Sequence, residues 1–425
     1  MKIDSLTLRS FRNIRESTLT PGPRLNFLLG KNGQGKTSFL EAIGYLSSLR
    51  SFRGSKTNEV IRWGDPQAEV ECEIGGAAGW QTRLKIVFEK SVIDPEKASK
   101  VAFINGKPYK NSAAFLSQRF GQFELGFHSV IFNPSDHDLV RGEPAIRRAY
   151  IDRALAAEDI KYLKALQKYQ RLLQQRNALL KSFGDARPPS FRDLLLGFTE
   201  PMAEYAAYLG LRRLEWLQRV GFRLTDLMRK IIPSEVELRA VYLSNWAPKI
   251  EGLSLENDDL NPVHFAGHGH LPSLELLEQA FWKRLSVVEP AELRSGHSLV
   301  GPHRDDWTFY LGNQVLKGHG SQGEVRSALL ALKLAEIELF QNSTGHQPVF
   351  LLDDFSSELD RERRSFLLDF LSDSNLQVFV TTTEDSIAAG QQVWVVQGAL
   401  QPSSPTDSRK KPELRPGDTD SESPI

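Results

Sequence analysis

The stretch Gly30-Lys31-Asn32-Gly33-Gln34-Gly35-Lys36-Thr37 constrains this chain more than any other. It satisfies G-x-x-x-x-G-K-[ST], follows the apolar run Leu25–Leu29, and precedes a segment whose apolar positions Phe39, Leu40, Ile43, Leu46 and Leu49 recur at helical spacing. A strand, a glycine-rich loop and a helix in that order make a phosphate cradle. The glycines let the backbone curl so that the N–H groups of residues 30–35 surround an anion, and the helix N-terminus adds the positive end of its dipole. Lys36 supplies a point charge to the β- and γ-phosphates of a nucleotide, and Thr37 offers a hydroxyl to Mg²⁺. The bare pattern arises by chance in roughly one chain of this length in fifty to a hundred. A glycine-rich loop without function would not need the strand and helix that flank it.

A second element is required: an apolar strand that ends in acid. Phe350-Leu351-Leu352-Asp353-Asp354 supplies it. Asp353 is placed to complete the Mg²⁺ shell, and Asp354 to orient or deprotonate an attacking water. Two acids at a strand end would by themselves be an ordinary cap; paired with the loop at 30–37 they read as chemistry. Thr37 and Asp353 are 316 positions apart. Compact GTPases and small kinases keep these elements close, whereas a wide split filled by helices is typical of ABC-type ATPase heads. Such heads also need a Ser/Gly motif opening a helix before the acidic strand, and Ser321-Gln322-Gly323-Glu324 precedes the apolar helix Leu329–Phe340. In that design Ser321 and Gly323 face the γ-phosphate held by the opposite subunit, so a complete ATP site needs two chains.

The texture of the chain fits this division. Residues 1–135 read as strands around one helix, the first part of an ATPase lobe. Alternating Val70, Cys72 and Ile74 against Leu84, Ile86 and Phe88 predict a hairpin, as does Asn105-Gly106. Residues 136–296 read as a helical arm, with long helices over 158–183 and 192–232, a loop over 245–272 and a helix over 274–294. Residues 297–401 return to strands and helices, and 402–425 read as a disordered tail. The expected fold is α/β: an ABC-type P-loop ATPase head with a mixed sheet, discontinuous in sequence, plus a helical insertion domain.

Lys plus Arg equal Asp plus Glu at 53 each, which excludes a protein that coats nucleic acid by bulk charge but not one with a local basic surface. Lys161, Lys164, Lys168 and Arg171 fall on one stripe of a helix, in a segment (161–181) with no acid. Arg212, Arg213, Arg219, Arg223, Arg229 and Lys230 follow against only Glu215 and Asp226. A basic helical arm of this kind pairs with DNA phosphates without reading bases; a merely solvated helix face is the competing reading. Arg50, Arg53 and Lys56 form a second candidate surface. The single cysteine, Cys72, excludes an internal disulfide and a Cys-based zinc site. It fits a reducing, cytoplasmic setting, as does the lack of a signal peptide or a membrane-length apolar run. His264, His268 and His270 sit in a glycine-rich polar segment and read as loop rather than metal site.

Taken together these elements resemble the RecF family of SMC-like ABC ATPase heads over about residues 1–400. Phe11-Arg12-Asn13 resembles the family's FRN element, whose Arg approaches the nucleotide, and 30–37 its Walker A loop. Phe132–Asp136 resembles the F-x-P-x-D segment near the Q-loop, and Gly301-Pro-His-Arg-Asp-Asp306 the GPHRDD element. Ser321–Glu324 stands where the family usually has SQGQ, and Leu351–Asp360 matches Walker B and the D-loop. Thr381-Thr382-Thr383 falls where many ABC proteins have a switch histidine. The resemblance implies binding of ATP and Mg²⁺, head-to-head dimerisation around two ATPs, and binding of DNA at gaps or single-strand/double-strand junctions. It also implies slow hydrolysis and action with RecO and RecR in loading RecA for recombinational repair and replication. An SMC-like DNA tether, an ATPase–nuclease with an acidic domain after the head, and a non-hydrolysing ATP-gated scaffold are the alternatives. The first lacks a long coiled coil here, and the second lacks the following domain.

Overall fold

The computed structural model describes residues 1–76, 79–94, 96–109, 111–120, 126–182, 188–232, 236–249, 263–265, 269–355, 360–384 and 390–402. Its centre is a six-stranded mixed sheet in the order Ala399–Gln401, Gln391–Val396, Leu25–Leu29, Gln377–Thr382, Val349–Leu352, Ser129–Phe132, parallel except for the hairpin at 391–401. Leu25–Leu29 lies between strands from the far end of the chain, so the lobe is discontinuous in sequence, as expected.

These central strands are near-continuous apolar runs because both faces are covered. Successive side chains point to opposite faces. Accordingly Phe27, Leu29, Val130, Phe132, Phe350, Leu352, Val378 and Val380 join one core, packed with the helices of the arm and the helix Gln322–Thr344. Leu28, Ile131, Leu351 and Phe379 join the other. The helix Lys36–Ser48 lies in that second core and is buried on nearly all sides. Gly44 lets it approach the sheet, since a Cβ there would stand 2.9 Å from Ile131. Its other cover is a six-stranded antiparallel sheet of residues 2–109. The predicted hairpins are present there, with Cys72 opposite Leu84 and Val70 opposite Ile86. Asn105 and Gly106 take φ 48° and 83°, the two positive values of a type I′ turn.

The arm consists of helices Ile160–Ser182 and Phe191–Ile231 packed along each other, with helix Leu274–Ser295 against the second. One element departs from the expected helical texture. Leu238–Ser244 is a strand that pairs antiparallel with Asp306–Leu311, Tyr242 opposite Trp307, and Val263–Phe265 extends it at the edge. The sheet therefore crosses the expected boundary at 296/297, tying the arm to the second part of the ATPase lobe. Most of the 245–272 loop and residues 403–425 of the tail lie outside the described residues. Among the described residues no helix is long and apolar enough to cross a membrane.

Candidate nucleotide-binding site

The phosphate loop is held from both sides. Gly30 takes φ 144°, and a Cβ there would stand 2.5 Å from the Val395 carbonyl oxygen, so no larger residue fits. Arg12 and Asn13 form a two-residue turn between paired Phe11 and Ile14. Asn13 donates to the Gly33 carbonyl (3.5 Å) and accepts from the Ser38 hydroxyl (3.3 Å). On the other side, the turn at Gln397-Gly398 donates both its N–H groups to Gln34, to the side-chain oxygen at 2.7 Å and the carbonyl at 2.8 Å. Gln34, a nondescript loop residue in the sequence, is thus the point at which the last hairpin grips the cradle.

Lys36 is buried, and its ammonium donates to the Gly30 and Lys31 carbonyls at 2.6 and 2.9 Å. Burial lowers its pKa, opposed by the carboxylates of Asp354 and Asp353. Thr37 donates to Asp353 Oδ1 at 2.8 Å, and Thr381 donates to the same oxygen at 2.8 Å. The Thr381 hydroxyl also accepts from the Asp354 backbone N–H (2.8 Å). One buried hydroxyl therefore positions both acids, a role invisible in a run of three threonines. Asp354 adopts φ 55°, uncommon outside glycine but tolerated by Asp. Desolvation pushes the Asp353 carboxyl up, moderated by the two hydroxyl bonds. A hydroxyl and a carboxylate oxygen 2.8 Å apart beside the loop are hard donors that fit Mg²⁺.

Arg12 is tethered in the cleft wall. Its guanidinium forks onto Glu41, a carboxylate with 0% exposure inside the Lys36–Ser48 helix, and also donates to Ser55 and the Glu59 carbonyl. It lines the cleft together with Lys36, Thr37, Asp353 and Asp354. Arg53, expected on a DNA surface, stands 3.6 Å from the same Glu41 and lines the same cleft. A charged residue amid Phe39–Leu46 was the available signal for this pair. The cleft has a volume of about 1470 Å³, and its lining includes Asn32, Gly33, Gly35, Lys36, Thr37, Asp353, Asp354 and Thr381 but none of residues 321–324.

Ser321 caps its helix. Its hydroxyl accepts from Glu324 N–H (3.2 Å), and the Glu324 carboxylate accepts from Ser321 N–H (2.8 Å), a reciprocal capping box. The extra carboxylate is thereby turned onto its own first turn, and a Gln would make the same bond. Arg363, which the sequence did not single out, donates to Ser327 (2.7 Å) and pairs with Asp360, with a terminal nitrogen 3.1 Å from where a Gly323 Cβ would be. Residues 356–359 of the D-loop lie outside the described residues.

Lys161, Lys164, Lys168 and Arg171 are all exposed on one face of the first arm helix, while Tyr162, Leu163, Ala165 and Tyr169 are buried on the other. Arg50 is exposed at the mouth of a cavity between the lobes. The second basic stretch is different. Arg212 pairs with Asp159 and Glu215, Arg213 with Asp152, Arg219 with Glu158, and Arg223 with Glu338. Acids from distant parts of the chain neutralise most of it, leaving Arg229 and Lys230 exposed. Among the described residues no three His, Cys, Asp or Glu side chains are placed to hold a metal. His264 lies in an edge strand, His270 is exposed, and His268 is outside the described residues.

The GPHRDD segment is a partly buried fastening. His303 accepts from the Tyr169 hydroxyl (2.6 Å) and donates to the Ser298 carbonyl (3.0 Å). Asp305 accepts from Tyr242 (2.5 Å) and Trp246 (2.9 Å), and Asp306 takes a two-point bond from Arg147. Arg213 of the second arm helix donates to the Pro302 carbonyl (2.6 Å) while bonded to Asp152.

Comparison with known proteins places the fold. Residues 2–397 match the RecF/RecN/SMC N-terminal domain family. The DNA replication and repair protein RecF of Geobacter sulfurreducens is 36% identical over 386 residues, covering 91% of this chain and 94% of its own. A solved structure of the recombination mediator protein RecF with ATP superposes with a TM-score of 0.80 at 28% identity, covering 95% of this chain and 97% of that one. An Smc head domain from Pyrococcus furiosus shares the fold, with a TM-score of 0.51 at 16% identity over 94% of this chain and 95% of its own. The chain therefore belongs to the RecF family of SMC-like ABC ATPase heads.

Proposed function

We propose that this chain is an ATP-gated DNA-binding protein of recombinational repair and replication, working in the cytoplasm. ATP binding drives head-to-head dimerisation and binding to gapped or junction DNA, and slow, DNA-stimulated hydrolysis resets it. The observation that carries this reading is the division of the site. Lys36, Thr37, Asp353 and Asp354 gather in one open cleft, while the Ser321 helix start is exposed away from it. A second chain supplies the missing signature.

In this scheme the backbone N–H groups of the loop hold the phosphates, and Lys36 exchanges two carbonyl partners for phosphate oxygens. Thr37 and Asp353 hold Mg²⁺, which when bound offsets phosphate charge. Asp354 orients a water for attack. It is one methylene shorter than the Glu usual in ABC proteins, which supports slow turnover. Ser321 and Gly323 of the second chain present a helix N-terminus to the γ-phosphate. The stripe Lys161, Lys164, Lys168 and Arg171 pairs with DNA backbone. RecO and RecR are the partners in loading RecA; the RecF–ATP structure belongs to the RecFOR pathway.

The test is molecular size and DNA binding with and without ATP, for wild type and Lys36→Arg. Dimers and DNA complexes should form only for wild type with ATP, and binding should fall with salt. Dimerisation and DNA binding indifferent to nucleotide would overturn the mechanism.

A further inference from the structure

Trp63 is 96% exposed, yet it stands in the wall of the nucleotide cleft. Single exposed apolar residues are ordinary; this one is distinguished by its mounting and its surroundings. It occupies the second position of a four-residue turn closed by Asp65 N–H donating to the Arg62 carbonyl (3.1 Å), with Gly64 at φ 87° in the third position. That is a type II turn, which its glycine makes possible. An Arg62–Asp65 ion pair at 3.6 Å braces it from within. From outside, Lys90 donates its ammonium to the Asp65 carbonyl (2.9 Å) and its N–H to the Pro66 carbonyl (2.9 Å).

The turn is also stitched to the phosphate loop's own support. Arg62 N–H donates to the Ser10 carbonyl and Arg12 N–H to the Val60 carbonyl, both at 2.8 Å. Arg12 and Asn13 form the hairpin turn that props Gly33 and Gly35. The indole therefore has a rigid base, fixed in register with the cradle. Among the described residues lining the cleft it is the sole aromatic. A nucleotide with its phosphates on Lys36 and Thr37 must carry its base to another part of that cleft, and a flat, solvated π-face is what a base seeks.

Resting on the ATP reading above, we propose that Trp63 is the platform on which the base of the bound nucleotide stacks, with purines favoured over pyrimidines by their larger face. The test compares Mg²⁺-dependent binding of ATP, CTP and inorganic tripolyphosphate to wild type, Trp63→Ala and Trp63→Phe. Protein is kept dilute enough to remain monomeric, with size checked in parallel. Trp63→Ala should weaken ATP about tenfold or more, CTP less, and tripolyphosphate not at all, and Trp63→Phe should recover most of the loss. Because the side chain is exposed, the fold should be unaffected, which circular dichroism checks. Unchanged ATP affinity in Trp63→Ala would overturn the inference alone. So would equal losses for ATP and tripolyphosphate, or a defect confined to dimerisation, which would seat the indole on a second copy. Wild type that binds no ATP would remove the nucleotide reading itself.

Discussion

The nucleotide cleft and the fastening around residues 298–306 are built from similar side chains and wired oppositely. In the fastening, each named charged group meets a partner from another element: Arg213 with Asp152 and the Pro302 carbonyl, Arg176 with Glu292, Ser298 and Thr199, Asp305 with Tyr242 and Trp246. Arg176 and Glu292 are each 1% exposed. In the cleft, Lys36 rests on its own loop's carbonyls, and Thr37 and Thr381 share one oxygen of Asp353. The first arrangement loses heavily if any partner leaves, because a buried charge is stranded. The second is provisional: the bonds of Lys36 and Thr37 are replaceable, and better made to a phosphate and a metal ion. The fastening fixes how the arm meets the head, and the cleft is left open to change.

The largest predicted effect breaks that contrast on the fastening's side. Arg213→Ala removes the cation between Asp152 and the 302 carbonyl and should cost about 3–5 kcal/mol of stability, measured by urea unfolding. A loss below about 1 kcal/mol, the range of an exposed pair, would show that the fastening is no tighter than the surface. Asp354→Asn probes the cleft. It should slow hydrolysis by roughly a hundredfold or more in single-turnover assays, while ATP binding and the urea midpoint stay near wild type. A matching drop in stability would mean that the acid is structural.

What the sequence made legible follows the same line. The loop at 30–37, the hairpins at Cys72/Leu84 and Asn105-Gly106, and the capped helix at Ser321 are local patterns, decided by residues a few positions apart. The rest depends on partners remote in sequence. Leu238–Ser244 is a strand because Asp306–Leu311 lies beside it; within a helical stretch its short alternation is easily overlooked. Arg212, Arg213, Arg219 and Arg223 look unopposed until Asp159, Asp152, Glu158 and Glu338 are folded against them. Arg12 lines the cleft on a hold from Glu41, a buried acid inside an apolar helix that the sequence alone does not pair with it. Thr381 gains its role only when parallel pairing sets it beside Asp353 and Asp354.

A smaller effect should appear in pH dependence. Burial lowers the His303 pKa to about 4, so between about 4 and its ordinary 6.5 the unfolded imidazole binds a proton that the folded one refuses. Its contribution to stability is present above 6.5 and lost as pH falls through about 4. Burial raises Asp305 to about 6, moderated by Tyr242, Arg213 and Trp246. Its folded form keeps a proton that the unfolded form has lost, so its contribution is present below its ordinary 3.8 and lost as pH rises through about 6. Across pH 4–6 the two slopes oppose each other. His303→Gln removes one of them, so the unfolding free energy of the variant should fall more steeply than wild type as pH rises over that range. Parallel slopes would show that the imidazole is not held neutral.

The smallest effect, and the sharpest test of the comparison, lies within the arm, where charges of both kinds share two helices. Lys164 and Arg171 are exposed on one face, whereas Arg219 is committed to Glu158 and Ser343. If exposure rather than basicity decides which cations meet DNA, Lys164→Ala with Arg171→Ala should weaken ATP-dependent DNA binding. The double change should flatten the log–log salt dependence by about two, since each phosphate contact contributes about 0.9 to the slope. Arg219→Ala, which removes one positive charge from the same arm, should leave the salt slope unchanged and lower stability instead. Equal slopes in all three proteins would move the DNA surface off this stripe. A flattened slope in Arg219→Ala would mean that the ion pairs of the second helix open when DNA arrives, making that helix as provisional as the cleft.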